Sequence, residues 1–230
     1  GEVKLPLVSR DLLPDMAILD SELLENLPKS LVADCGFDVL GHCLEAYTAQ
    51  NANGFTDALA LAAFRCVLEN LSVSYSGDLS VRGKIHQAAT MAGLSFSRAG
   101  LGLCHAMAHS LGGVFHIPHG RLVAMLLPPI ITCGAKVCSE KYAALARGVG
   151  LPGAANVMAV RNLTNALVNL RKSLHMPGSL QEAGIAPAQV LQHKEQILRA
   201  TLQDPCCATA PVPVDMMQVS QILEAVTGRG

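Results

Sequence analysis

Four of the chain's eight histidines stand between Gly100 and Gly120, in GLGLCHAMAHSLGGVFHIPHG, a stretch otherwise made of small and apolar residues. A buried imidazole without a partner is costly, and four in one stretch multiply that cost. A fold built on this chain must bring these rings to a shared ligand or satisfy each one separately. His105 and His109 are four residues apart in a run of helical character, which sets them one turn apart on one helix face. A second pair with the same spacing, Asp38 and His42, lies upstream in ADCGFDVLGHCLEAY. A carboxylate and an imidazole so placed can reach one divalent cation, although the same pair is also an ordinary helix-surface contact.

The remainder of the chain supports a helical reading. From Leu27-Pro28 onward apolar residues recur three and four apart. In FTDALALAAFRCVLENL the helix is expected to be capped at Thr56, ahead of Asp57. Further helices are expected over Lys84 to Arg98, Leu103 to Phe115, Gly120 to Thr132, Glu140 to Val149, Ala154 to Leu174, Ala188 to Leu202 and Val214 to Val226. Gly150 to Gly153, Met176 to Gly178 and the Pro-rich DPCCATAPVPVD read as turns and loops. Ahead of the helices, VKLPLVS and MAILD read as one or two short strands. The architecture expected is a mainly α domain of about eight helices with a short strand-like lead-in.

Composition removes several classes of function. A net charge of −1, no Trp, three Tyr and five Phe leave neither a basic track for phosphates nor aromatic platforms for bases, so no nucleic-acid partner is expected. The most apolar run, LVAMLLPPIITCGA, is broken by two prolines and falls short of the ~18 to 20 residues of a membrane span, so no membrane partner is expected. The N-terminal GEVKLPLVSRD lacks the pattern of a signal peptide. The eight cysteines form no CxxC pair and read as small buried hydrophobes of a reducing, cytoplasmic compartment, with adjacent Cys206 and Cys207 the pair most open to oxidation.

Spacing alone favours His105 and His109 as joint ligands, with His119 supplied from the loop or helix start after Pro118. Three imidazoles and one carboxylate suit Fe2+ or Zn2+ with a position open for substrate, and make a poor cage for calcium or magnesium. Three segments then carry a resemblance: LLPDMAILDSELLENLP, GFDVLGHCLEAYTA and AGLGLCHAMAHSLGGVFHIPHG resemble the iron-containing alcohol dehydrogenase family, and DPCCATAPVP resembles its closing loop. The resemblance implies Asp38, His42, His105 and His119 as metal ligands. It exchanges His109 for His119, and moves His109 to a proton-relay role beside nicotinamide and substrate. His116 is then incidental, and His86, His175 and His193 are surface or packing residues. The chain departs from the family pattern at Cys35, Phe37 and Gly41, and the last two are expected to reshape the substrate pocket.

The resemblance also implies an N-terminal α/β domain bearing a Gly-rich pyrophosphate loop. Gly100-Leu101-Gly102 is the nearest approach here, and the third glycine of GxGxxG would fall on His105. The chain therefore reads as residues 1–25, a remnant of the nucleotide-binding domain and hinge, followed by residues 26–230, a helical iron-binding catalytic domain. The function implied is NAD(P)-linked interconversion of a small alcohol and aldehyde, with Fe2+ (or Zn2+) held here. NAD(H) or NADP(H) would be supplied through the other domain. A homo-oligomer is expected, and the isolated fragment is expected to be inactive. The alternatives are a metal-binding or assembly module without catalysis, and a relative acting on diols or hydroxyacids.

Overall fold

Eight α-helices organise the computed structural model, which describes residue 7 and residues 9–228. They are α1 (Lys29–Thr48), α2 (Gly54–Ser76), α3 (Arg82–Ala99), α4 (Leu103–Phe115), α5 (His119–Gly148), α6 (Asn156–Ser173), α7 (Pro187–Gln203) and α8 (Met216–Thr227). α1, α2 and α3 pack mutually, α6 packs on α5 and touches α2, and α7 packs on α4 and α8. α5 packs against α1, α4, α6 and α8. The core is continuous through them, from Phe37, Leu40 and Leu44 of α1 to Leu122, Leu126 and Ile131 of α5 and Ile222 of α8.

No strand forms among the described residues. Met16 to Asp20 runs without regular structure, and Met16 and Ile18 are 78% and 81% exposed. An isolated extended segment has no neighbouring ladder to take its backbone hydrogen bonds, so a strand-like sequence there cannot make a strand. Most of VKLPLVS, the other expected strand, lies outside the described residues. Behind Met16 to Asp20, the buried Arg82 guanidinium donates to the Leu24 and Glu25 carbonyls and ties the segment to α3.

Two helix expectations need correction. The cap of α2 is Asn53: its Oδ1 accepts from the Phe55 and Thr56 amides at 3.0 and 3.3 Å, and the Thr56 hydroxyl accepts from the Asn53 amide at 2.9 Å. Thr56 thus takes the third helical position of a capping box. The helices expected over Gly120 to Thr132 and Glu140 to Val149 are one helix, α5, which leaves helical geometry only at Cys138 (φ −102°, ψ 18°). Pro128 lies inside it and cannot donate to the Ala124 carbonyl. Arg171 of α6 reaches that carbonyl at 3.4 Å, and the Thr132 hydroxyl takes the Pro128 carbonyl at 2.9 Å. Neighbouring side chains thus keep the helix intact through a proline pair.

α2 and α5 are also long and apolar enough, by length and composition, to cross a bilayer, which the proline-broken run had not suggested. In α5 the apolar content serves the protein core, since this helix is packed from four directions.

α1 and α5 meet at backbone contact beside the second histidine stretch. A Cβ on Gly120 would stand 1.8 Å from the Asp34 carbonyl oxygen, so no side chain fits there. Arg121 reinforces the junction, donating Nη2 and Nε to the Asp34 carboxylate at 2.9 and 3.3 Å. Gly120→Ala must push α5 away from α1 and is expected to destabilise the fold by about 1–3 kcal/mol, the range of overpacked cores. Urea unfolding measures that loss, and metal retention in the same variant is expected to fall because His119 moves with α5.

Candidate metal centre

Three helices deliver the site. Asp38 and His42 lie one turn apart on α1, His105 and His109 lie one turn apart on α4, and His119 is the first residue of α5. A short turn makes the last placement. His116 closes α4 in the left-handed conformation (φ 55°), and Pro118 then caps α5, its carbonyl accepting from Arg121 and Leu122. Exposed His116 therefore has a chain-reversing place and points to no ligand role.

The side chains converge on Asp38. Its Oδ1 lies 3.3 Å from His119 Nε2 and 3.6 Å from His105 Nε2, and its Oδ2 lies 3.9 Å from His42 Nδ1. Ligand atoms of Asp38, His42 and His105 all fall within 4.8 Å of one another. His42 stacks between Phe96 and His105, with centroids 4.4 and 4.5 Å away. Asp38 Oδ1 and His105 Nε2 are buried with no hydrogen-bond partner. Two such atoms aimed at one point fit a cation, because an unpaired buried carboxylate oxygen is otherwise strongly disfavoured.

His109 is held elsewhere. Its Nδ1 lies 2.8 Å from Asp204 Oδ2, and its ring stacks on His119 at 5.1 Å. With Cys206 these two residues form another cluster of potential ligand atoms. There, however, the His109–Asp204 hydrogen bond already joins the imidazole to the carboxylate, and Asp204 Oδ1 accepts the Cys206 amide at 2.9 Å. His109 Nδ1 is thus bound to Asp204, and the group of ligand atoms within 4.8 Å of one another, Asp38, His42 and His105, includes neither His109 nor His119.

Asp204 escaped the sequence reading, because nothing local ties it to a histidine 95 residues away. Its loop, the 3-10 turn Pro205–Thr209, is stitched down by Thr209, whose hydroxyl accepts from the Leu101 amide (3.1 Å) and donates to the Leu101 carbonyl (2.8 Å). Gln50 adds bonds to the Thr209 and Ala210 carbonyls. Glu45 also escaped notice; it is buried on α1, and its Oε2 lies 2.6 Å from His105 Nδ1. The available signal was its position seven residues after Asp38, on the same helix face.

Phe37, which was expected to reshape the substrate pocket, has its side chain wholly buried in the hydrophobic core. Gly41 has a packing reason, since a Cβ there would stand 2.5 Å from Val123 Cγ1 and 3.5 Å from His105 Cε1. Of the remaining histidines, His193 packs edge-on against Phe115 and bonds the Gln189 carbonyl within its own helix.

A sequence profile described as "Fe-containing alcohol dehydrogenase family, C-terminal" matches residues 32–227. Among curated proteins, the chain is 39% identical over 225 residues to the NADPH-dependent butanol dehydrogenase of Clostridium saccharobutylicum, covering 98% of this chain and 58% of that protein. It is also 39% identical over 228 residues to the 1-propanol dehydrogenase of Salmonella typhimurium, covering 96% and 62% respectively. The iron-containing alcohol dehydrogenase of Thermococcus thioreducens superposes with a TM-score of 0.89 at 33% identity, over 97% of this chain and 57% of that one. The fold and convergent histidines define an all-helical metal-site domain. The chain belongs to the iron-containing alcohol dehydrogenase family and matches its C-terminal domain. It spans about three fifths of the length of these relatives.

Protonation in the site is strongly divided. Burial, reinforced by the neighbouring His105, pushes His42 down to about 3, so its ring stays neutral. Burial opposes the charged form of His105 too, but the Asp38 and Glu45 carboxylates overcome it and raise this histidine to about 9. Burial would raise Asp38, yet the His105 and His119 imidazoles hold it far below the usual carboxylate range. In the metal-free chain His105 is thus charged at neutral pH, and a cation must displace its proton. Apparent metal affinity is expected to rise about tenfold per pH unit from pH 6 toward 9, then level off. Chelator competition across that range measures it, and calorimetry in buffers of different ionisation enthalpy counts the released proton. For stability the sign is opposite. A raised histidine stabilises the metal-free fold fully below its unfolded value near ~6.5, and that contribution is lost as pH rises through about 9.

Proposed function

We propose that this chain carries the metal centre of an NAD(P)-linked alcohol dehydrogenase interconverting a small alcohol and its aldehyde, with Asp38, His42, His105 and His119 as ligands. The observation that carries the reading is the convergence of Asp38 Oδ1 and His105 Nε2, buried and without hydrogen bonds, with His42 and His119 closing around them. Fe2+ is the ion favoured by the family's description, and Zn2+ suits the same donors. When bound, the divalent ion supplies Lewis-acid chemistry, polarising the oxygen of the alcohol or aldehyde.

The chain's own residues then have separate tasks. Neutral His42 and ionised Asp38 leave one negative charge among the proposed ligands, so a bound dication keeps a net positive field toward the substrate oxygen. His109 receives the hydroxyl proton. Its Nδ1–H donates to Asp204, which leaves Nε2 as the accepting atom and fixes the ring's orientation. A nicotinamide held outside this chain would supply the hydride acceptor for the carbinol carbon, leaving the aldehyde. The reverse direction returns the proton from His109.

The nucleotide is proposed to be held by another domain, with residues 1–25 as the join and residues 26–230 as the helical catalytic domain. The family match beginning at residue 32 supports that boundary, as does the Arg82 tie at Leu24 and Glu25. Exposed Leu12, Leu13, Met16 and Ile18 support contact of the join with further protein, in the same subunit or a second copy of a homo-oligomer. Eight free cysteines support a reducing, cytoplasmic setting.

Anaerobic purification with elemental analysis is expected to find about one divalent ion per chain, and His105→Ala is expected to lose it while His116→Ala keeps it. A protein free of iron and zinc that also ignores added metal would sink the reading. In a protein that includes the nucleotide domain, His109→Ala is expected to lower kcat about 100-fold or more with metal content unchanged, as loss of a general base does. Loss of metal together with activity would return His109 to the ligand set. The 230-residue chain alone is expected to bind metal but to show neither NADH binding by calorimetry nor propanol oxidation.

A further inference from the structure

Glu45 is a buried carboxylate, 4% exposed, that the proposed chemistry does not use. It lies on α1 three residues beyond His42 and reaches the start of α4. There it meets four donors. Its Oε1 accepts from the Cys104 amide at 2.6 Å, and its Oε2 accepts from the Gly102 and His105 amides at 2.9 and 3.3 Å. Oε2 also takes His105 Nδ1 at 2.6 Å.

The first three contacts are those of a helix N-cap, supplied from another helix. Gly102, the N-cap of α4, has no capping side chain of its own. The backbone has made room for the visitor: a Cβ on Gly102 would stand 2.8 Å from Glu45 Oε1. The fourth contact acts on the ring. With Nδ1–H donated to Glu45, the other nitrogen, Nε2, is the one left toward Asp38.

We propose that Glu45 is the positioning residue of this metal centre: one carboxylate both caps α4 and sets the tautomer and rotation of His105. This rests on the reading of His105 as a ligand. A carboxylate behind a ligating imidazole makes the ring more basic and fixes its aim, and loss of such a partner typically weakens metal binding about 10- to 100-fold. Because the same group holds the first turn of the helix, the aim of the ligand and the start of its helix cannot drift apart.

The two roles can be separated by mutation. Glu45→Ala removes both, and it also vacates the space a side chain at Gly102 would need. Gly102 has extended dihedrals (φ −155°, ψ −152°) that serine adopts at an N-cap, so Glu45→Ala/Gly102→Ser restores a cap but leaves His105 Nδ1 without the carboxylate. Zn2+ affinity is measured by chelator competition for the chain, these two variants, Glu45→Gln and His105→Ala, with thermal midpoints alongside. The expected result is a 10- to 100-fold loss of affinity in Glu45→Ala that persists in the double variant while its thermal midpoint recovers. Glu45→Gln keeps an acceptor for the ring and is expected to fall between the chain and Glu45→Ala; should Glu45→Ala fail to fold, a loss in Glu45→Gln stands in for it. In the Zn2+-loaded chain, the His105 Nδ1–H proton is expected to resonate far downfield, and to shift upfield in the double variant. Affinity restored together with stability in the double variant would overturn the proposal and leave Glu45 as a cap alone. So would Glu45→Ala or Glu45→Gln binding Zn2+ as the chain does while His105→Ala does not. Unchanged affinity in His105→Ala would instead overturn the ligand reading beneath it.

Discussion

Asp38 Oδ1 is a buried carboxylate oxygen with imidazoles on two sides and no hydrogen bond. Such an atom is tolerated only where strong positive charge meets it, from protonated rings or from a cation. The surrounding structure is arranged around that requirement. His105 is 1% exposed, and Asp38, although its side chain is partly exposed, keeps Oδ1 buried beside it. The strain between desolvation and charge therefore stays in the site, where the raised His105 and depressed His42 record it in opposite directions.

α1 is the element that turns this local demand into architecture. It carries Asp34 to the start of α5, Asp38 and His42 to the centre, and Glu45 to the start of α4. Each acidic residue meets a helix beginning or the histidine next to one, where backbone amides and dipole favour negative charge. One helix thereby sets the relative placement of two others. Small residues at the crossings, Gly120 above all, allow the backbones close enough for side chains as short as aspartate to reach.

The closing loop shows a different economy. It brings Asp204 to His109, and it is held by bonds from Gln50, just beyond the end of α1, and by Thr209 bonds to Leu101 in the turn before α4. A proton-accepting histidine needs its ring fixed more than it needs charge around it, and a carboxylate on Nδ1 does that. The proposed division of labour follows: Asp38, His42, His105 and His119 turn toward the cation, and the histidine fixed by the closing loop takes the proton.

Much was legible in the residues themselves, because periodicity and spacing are local. Helical repeats placed the helices, and the four-residue spacings put Asp38 with His42 and His105 with His109 on shared faces. The proposed choice of His119 over His109 lay beyond spacing, since the three-residue reversal from His116 to Pro118 and a carboxylate 95 residues away bear on it. Glu45 was legible only as a residue on the Asp38 face of its helix, and the packing of α4 on α1 alone reveals what it caps. Met16 to Asp20 shows the reverse: strand-like in sequence, it forms no strand among the described residues, because a strand needs a neighbour to complete its hydrogen bonds. The sequence by itself determined which helices form and which rings share a face, for those are contacts within a few residues. The tertiary structure decided which nitrogens converge, because that is settled by the crossing of α1, α4 and α5 and by buried carboxylates reaching across them.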